Sequence, residues 1–377
     1  MTTTTSKAMT QTRSMAKRIF NFSAGPATLP EEVLHQAQQD VWNIADSGIG
    51  ILEHSHRGKV FTRVLEEAEA DCRAVAGIGD DYHVLFLQGG ASLQFAMVPM
   101  SFLASGRTAD YLDTGSWSSK AIKEARLLGD VNVAFDGSKT SYDHIPADDE
   151  LNLTDDAGYS YYCANNTIYG TEFSRPPTTK SPLVCDASSD IFSRPLEVSQ
   201  HAIIFAGAQK NLGPAGCTLV IIRKDFMAGA NDGLPSMLDY RQHADKGSRL
   251  NTPPAFGIYV VGQVFKWILR QGGLAEMAIR NREKAGIIYH AIDTSGGSGF
   301  YQPVARPDSR SMMNITFRTP SDELDRKFIE EAQQHDMDGL KGHRSAGGLR
   351  ASIYNAFPKA GCEALASLMG DFASRHG

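Results

Sequence analysis

The sequence predicts an α/β fold in which a large, doubly wound and mainly parallel sheet domain is followed by a smaller α+β C-terminal domain. Two observations carry this expectation. Short apolar runs at 82–87, 109–112, 159–164, 183–185, 202–206 and 217–222 alternate with helical patterns, and polar or glycine residues follow them. The chain is also 377 residues long, more than one hydrophobic core usually serves, and its patterning changes near Gly272. We therefore expect a large domain over 31–275 and a small domain over 276–377. Residues 18–30 should form a segment packing with the small domain, and 1–17 a disordered tail.

Taken in order, residues 18–27 (R-I-F-N-F-S-A-G-P-A) read as extended chain ending in a Gly-Pro turn. Pro30 opens a helix with Glu31 and Glu32 in its first turn, where carboxylates suit the helix dipole. Val33, Ala37, Val41 and Ile44 fall on one face of that helix. A loop at 48–58 holds His54, His56 and Arg57, and the next helix carries Val60, Phe61, Val64, Leu65, Ala68 and Cys72 on its apolar side. The strand at 82–87 runs into Gln88-Gly89-Gly90-Ala91-Ser92 and an apolar helix at 93–102. A strand, Gly-Gly turn and helix start present free N–H groups to an anion, and plain loop closure produces the same pattern. The strand at 109–112 leads into T-G-S-W-S-S-K-A, which sets Trp117 beside a helix start. The strand at 159–164 ends in Asn165-Asn166-Thr167, and the one at 183–185 ends in Asp186. After the long apolar helix at 257–270 (Ile258, Val261, Val264, Phe265, Ile268, Leu269) come a charged helix from Leu274 and a strand at 313–317. Helices from Ser321 and from Pro358 close the chain.

Composition excludes several classes. With 42% hydrophobic and 21% charged residues and a net charge of −6, no broad basic face is available for nucleic acid. No apolar run approaches the ~20 residues that span a bilayer. The five cysteines are odd in number, widely spaced and without a C-x-x-C pair, which suits a reducing compartment and a cytoplasmic location. Histidines do not pair with cysteines at ligand spacing, so no metal site is expected. The first eighteen residues are Thr/Ser-rich and basic but lack the apolar core of a secretory signal.

Lys210 lies at the centre of A-G-A-Q-K-N-L-G-P-A-G at 206–216, between two apolar runs. A packed surface turn accounts for this stretch, and so does a reactive amine whose pKa is lowered by desolvation and whose glycines admit a ligand. Trp117, Thr167, Asp186 and Lys210 all fall near the carboxyl ends of strands, where ligands of such sheets bind. A lysine, an aspartate, an aromatic plate and an anion cradle are together what a pyridoxal phosphate enzyme needs.

Longer motifs make a resemblance specific: F-N-F-S-A-G-P-A at 20–27, H-R-G-K-V-F at 56–61, G-A-Q-K-N-L-G-P-A-G at 207–216, N-T-P-P at 251–254 and G-H-R-S-A-G-G-L-R-A-S-I-Y-N-A at 342–356. From Ile19 onward the chain resembles the phosphoserine aminotransferase family of class V, fold-type I pyridoxal phosphate-dependent transferases. The resemblance implies pyridoxal 5'-phosphate as cofactor, Lys210 as the Schiff-base lysine and Asp186 as partner of the pyridine nitrogen. It further implies Trp117 as the stacking aromatic and Thr167 near the phenolic oxygen. Ala91, Ser92 and Gln209 would hold the cofactor phosphate, with Asn251 and Thr252 reaching it across the interface of a homodimer. The implied substrates are phosphoserine, 2-oxoglutarate and glutamate, in a reversible transamination that also gives 3-phosphohydroxypyruvate and belongs to serine biosynthesis. Bacterial relatives act in pyridoxine biosynthesis as well.

Such substrates bring a distal anion and an α-carboxylate. The resemblance places His56, Arg57, His343 and Arg344 around the distal anion and Arg350 on the α-carboxylate, where a planar guanidinium binds bidentately. Two positions depart from the family: Ser92 stands where some members carry arginine, and Asn166 where glutamate is common. Among rivals, alanine–glyoxylate aminotransferase is of the same class. A cysteine desulfurase would need a cysteine on a mobile loop, and Cys362 lies in a helical run. A nucleotide-binding oxidoreductase would need a G-x-G-x-x-G after the first strand, which is missing.

Overall fold

A computed structural model describes residues 18–104, 106–295 and 299–377. The expected tail over 1–17 lies outside these residues. The helices are α1 (Glu31–Trp42), α2 (Lys59–Ala76), α3 (Gly90–Phe102), α4 (Ser116–Ala125), α5 (Lys224–Ala228), α6 (Tyr240–Asp245), α7 (Ala255–Arg270), α8 (Gly273–Thr294), α9 (Asp322–Gln334) and α10 (Lys359–His376). The strands are β1 (Phe20–Asn21), β2 (Tyr82–Leu87), β3 (Thr108–Asp113), β4 (Asp130–Asp136), β5 (Ser160–Cys163), β6 (Leu183–Asp186), β7 (Ile203–Gly207), β8 (Thr218–Arg223), β9 (Gln302–Pro303), β10 (Asn314–Arg318), β11 (Met337–Asp338) and β12 (Leu349–Ser352).

Seven strands form the large sheet in the order β2-β8-β7-β6-β5-β3-β4. β8 runs antiparallel to both its neighbours and the other pairings are parallel. The inner strands are buried on both faces, as Ile203-Ile204-Phe205-Ala206-Gly207 shows, because helices cover the sheet on each side. One core lies between the sheet and α1, α2 and α7, and another packs α3, α4 and α6 on the opposite face. From β3 the chain first moves outward to β4 and then back across β3 to β5, so the strand order reverses at β3. Open α/β sheets form their ligand crevice at such a switch point, outside the carboxyl ends of the strands.

A third core unites α8, α9 and α10 with β10 and β12, and Phe22 belongs to it. β1 pairs in parallel with β11, matching Phe20 to Met337, so the N-terminal segment is stitched to this core rather than to the large sheet. Lys284 of α8 is buried there. Its Nζ donates to the carbonyls of Ile353, Tyr354, Asn355 and Phe357 at 3.0, 2.7, 3.4 and 3.2 Å, tying down the chain that follows β12. Lys284→Met would strand these buried acceptors. The expected loss is about 3 kcal/mol, read as a lower urea midpoint; an unchanged midpoint would show that the ammonium does not hold this turn.

The structure differs from the sequence reading at several elements. β4 was not expected: D-V-N-V-A-F-D is an edge strand with mostly half-exposed residues, so no apolar run announces it. Val41 and Leu269, placed on buried faces by periodicity, are exposed at helix ends, and Trp42 is 85% exposed. α3 begins at Gly90, three residues before the expected start, so Gly90, Ala91 and Ser92 form its first turn.

Candidate active site

β3 and β5 deliver their carboxyl ends to the switch-point crevice. After β3 the chain turns at Gly115 into α4, whose second residue is Trp117; after β5 it passes through Asn165, Asn166 and Thr167. The two segments lock together: the indole Nε1–H of Trp117 donates to Thr167 Oγ1 at 3.0 Å. Asn166 makes this junction possible. Its amide donates to the Thr114 carbonyl at 2.7 Å, and its Oδ1 accepts from the N–H groups of Ile168 (3.0 Å) and Tyr169 (3.2 Å). Gly115, at φ +154°, leaves room for that amide; a Cβ there would sit 1.5 Å from Asn166 Nδ2. Asn166 is therefore a scaffold group that fixes the segments carrying Thr167 and Trp117.

Asp186 ends β6. It is 4% exposed, and its Oδ1 accepts from the Ser188 amide at 3.0 Å. Burial raises its carboxyl above the ordinary range, opposed by the Ser188 hydrogen bonds and the positive charge of Lys210. Ser188 in turn accepts from the Gly207 amide at 3.1 Å, fastening this turn to the end of β7 just before Lys210. The loop carrying Lys210 is pinned at both ends, with Ala208 N–H on the Cys217 carbonyl (2.9 Å) and Gly213 N–H on the Ala208 carbonyl (2.7 Å). Lys210 Nζ stands 5.8 Å from the Trp117 ring centroid. Burial pushes its amine below the ordinary lysine range, with Asp186 pulling the other way. An amine that gives up its proton readily has the free lone pair that a nucleophile toward a carbonyl requires.

Arg350 comes from β12, opposite Thr316 of β10. Its Nη1 donates to the Thr167 carbonyl at 2.8 Å, while its buried Nε has no partner among the described residues. His343 and Arg344 lie on the loop before β12. His343 Nδ1 sits 2.7 Å from Ser345 Oγ, and burial, then Arg350, Arg344 and Lys120, push the His343 ring below its ordinary pKa. Sequence reasoning missed Lys120: its ammonium lies over the Trp117 ring, 4.3 Å from the centroid, yet in S-W-S-S-K it reads as an ordinary helix-surface lysine.

The first turn of α3 supplies the anion cradle. Leu93 N–H already bonds the Gly89 carbonyl at 3.2 Å, so the amides of Gly90, Ala91 and Ser92 are the helix's leading free donors. Gly89 and Gly90 take φ of +87° and +63° to make this turn. Gln209 precedes Lys210, and its carbonyl accepts from Ala27 N–H at 2.9 Å. Asn251 donates to Gln88 Oε1 at 3.1 Å, next to the same turn, and its own buried Oδ1 lacks a partner among the described residues; Thr252 beside it is exposed. His56 and Arg57 are different. No hydrogen bond, ion pair or ring contact joins either to Lys210, His343 or Arg350 among the described residues, and Arg57 is exposed on the loop before α2.

A cavity of about 780 Å³ lies elsewhere, between the 173–182 segment and Asp190 and Arg194, with none of the expected site residues in its wall. Alternation along a strand explains this, since Cys185 and Ala187 face that cavity and Asp186 points to the other side of the sheet.

Known proteins place this geometry in context. The family model described as aminotransferase class-V matches residues 19–365. The phosphoserine aminotransferase of Desulfotalea psychrophila is 52% identical over 362 residues, covering 96% of this chain and 99% of the relative. A solved phosphoserine aminotransferase from Bacillus circulans subsp. alkalophilus superimposes with a TM-score of 0.93 at 50% identity, covering 96% of this chain and all of that one. A pyridoxal phosphate-bound phosphoserine aminotransferase from Trichomonas vaginalis reaches 0.88 at 39% identity, covering 93% of this chain and 99% of that one.

Proposed function

Because the chain belongs to the class-V aminotransferase family, we propose that it is a pyridoxal 5'-phosphate-dependent aminotransferase exchanging the amino group of phosphoserine with 2-oxoglutarate. 3-Phosphohydroxypyruvate and glutamate are the products, and serine biosynthesis is the pathway they serve. The observation that carries the proposal is the contact chain Lys210–Trp117–Thr167–Arg350, which draws a buried amine, an aromatic plate and a guanidinium with an unpaired Nε to one crevice.

The residues fit the cofactor. The free amides of Gly90, Ala91 and Ser92, with Gln209, suit its phosphate, Trp117 its ring, and buried Asp186 a cationic ring nitrogen. Bound there, pyridoxal phosphate supplies an electron sink for charge developing on the substrate Cα. Lys210 Nζ takes the proton from that carbon and later returns one, general acid–base work worth ~10²–10⁴-fold. Arg350 holds the α-carboxylate and so fixes which Cα bond faces Lys210. Asp186 keeps a positive charge on the ring nitrogen, and Thr167 Oγ1 keeps the Trp117 plate in register. His343 and Arg344 meet the distal anion, and 2-oxoglutarate reuses this subsite with its second carboxylate.

The reading needs a second copy of the chain. Among the described residues no hydrogen bond, ion pair or ring contact joins His56 or Arg57 to the crevice, and the Asn251 Oδ1, unpaired among those residues, lies at the same edge as the anion cradle. A homodimer sharing its two sites answers both. A cytoplasmic setting and a further role in pyridoxine formation belong to the same proposal.

An initial-rate assay with 2-oxoglutarate tests it. The expected kcat/KM for phosphoserine exceeds that for alanine by at least about 10³-fold, because a site built to bond a polar group rejects analogues lacking it. Preference for alanine with glyoxylate would instead assign the alternative activity of the same class.

A further inference from the structure

The helix α4 presents one cation that the proposed reaction has not used. Lys120 lies one turn after Trp117, is exposed, and forms no ion pair among the described residues. Its ammonium is held 4.3 Å from the centroid of the Trp117 ring, and the hydrogen bonds from Trp117 to Thr167 and from Arg350 to the Thr167 carbonyl bind the same crevice together. Resting a cation on an aromatic face keeps it in place without neutralising it. His343 stands in the same neighbourhood as Arg350, Arg344 and Lys120: burial first, and then the positive charge of these three, lowers its proton affinity. Arg344, Arg350 and Lys120 form no ion pair among the described residues, and in a chain of net charge −6 such a group of cations is electrostatically costly until an anion arrives.

We propose that Lys120 is a specificity-determining residue: its ammonium, steered by the Trp117 ring, binds the distal anion of the amino-acid substrate, whether phosphate or side-chain carboxylate. This rests on the aminotransferase reading above and deepens it. Lys120 does not touch the reacting atoms, so its effect belongs in substrate affinity. A dianionic phosphate gains more from it than a monoanionic carboxylate.

The test compares Lys120→Met, which keeps an unbranched stem over Trp117 but loses the charge, with Lys120→Arg, using phosphoserine, glutamate and alanine on the cofactor-loaded enzyme. Lys120→Met should raise KM for phosphoserine about tenfold and for glutamate several-fold, with kcat changed no more than about twofold. Alanine, which has no distal anion, should show the same kcat/KM in both variants as in the parent chain. Lys120→Arg should return phosphoserine KM to within about threefold. Equal losses for all three amino acids, or a weaker cofactor absorbance band, would overturn the proposal in favour of a role in packing Trp117. Unchanged KM values for phosphoserine and glutamate would overturn it too. Should the parent chain transaminate glutamate but not phosphoserine, the substrate reading fails alone, because the glutamate–alanine comparison still decides the role of Lys120.

Discussion

Replacing Lys210 by alanine is expected to lower transamination by at least about 10³-fold while leaving the fold intact. The size follows from the two tasks assigned to one atom. In the proposed reaction Nζ is both the nucleophile that anchors the cofactor and the base that moves the Cα proton, and general acid–base catalysis alone contributes ~10²–10⁴. Folding should survive because the loop does not depend on the amine: it is pinned by backbone bonds through Ala208, Gly213 and Gln209. Losing a buried amine also removes a desolvation cost. Thermal unfolding close to that of the parent chain, combined with lost activity, is the expected pair of results. If activity falls less than tenfold, Lys210 is a packing residue and the anchor lies elsewhere.

Arg350→Leu should have the next largest effect. Its guanidinium is aimed by one bond to the Thr167 carbonyl and retains a buried, unpaired Nε. Removing a charge-assisted carboxylate contact costs ~2–3 kcal/mol, or about 30–150-fold in affinity. The loss should be similar for phosphoserine and glutamate, since both present the same α-carboxylate. Initial rates with each substrate check this. A loss confined to phosphoserine would move Arg350 to the distal anion. Arg350→Lys should recover only part of the loss, because an ammonium cannot reproduce the planar fork.

The two effects show why parts of this molecule were readable and others were not. Lys210 stood out because two buried strands flank it, and burial of Ile203-Ile204-Phe205-Ala206-Gly207 on both faces follows from the helices on each side. Trp117 and Thr167 could be placed at strand ends, but their 3.0 Å bond depends on the strand order, which sequence spacing does not contain. Asn166 reads in the sequence only as an odd residue; its bond to the Thr114 carbonyl beside Gly115 is a product of two loops meeting. Lys120 was invisible for a different reason. Nothing distinguishes a solvated lysine from one lying on an indole until the helix register puts it there. β4 failed to announce itself because an edge strand needs no continuous apolar run, and Asn132 spends its side chain on Asp110 at 2.8 Å instead of on the core. His56 and Arg57 have a sequence motif but no contact with Lys210, His343 or Arg350 among the described residues, and the proposed homodimer is the arrangement that would give them a site.

The most direct measurement of the central claim is chemical. Borohydride makes a link between cofactor and lysine permanent, so the reduced, cofactor-loaded protein can be digested and its modified peptide sequenced by mass spectrometry. One modified peptide is expected, containing the A-G-A-Q-K-N-L-G stretch with the added mass on Lys210. Prior addition of phosphoserine should suppress the modification, because the substrate amine takes the place of Lys210. The added mass on Lys120, on Lys284 or on no lysine at all would contradict the account.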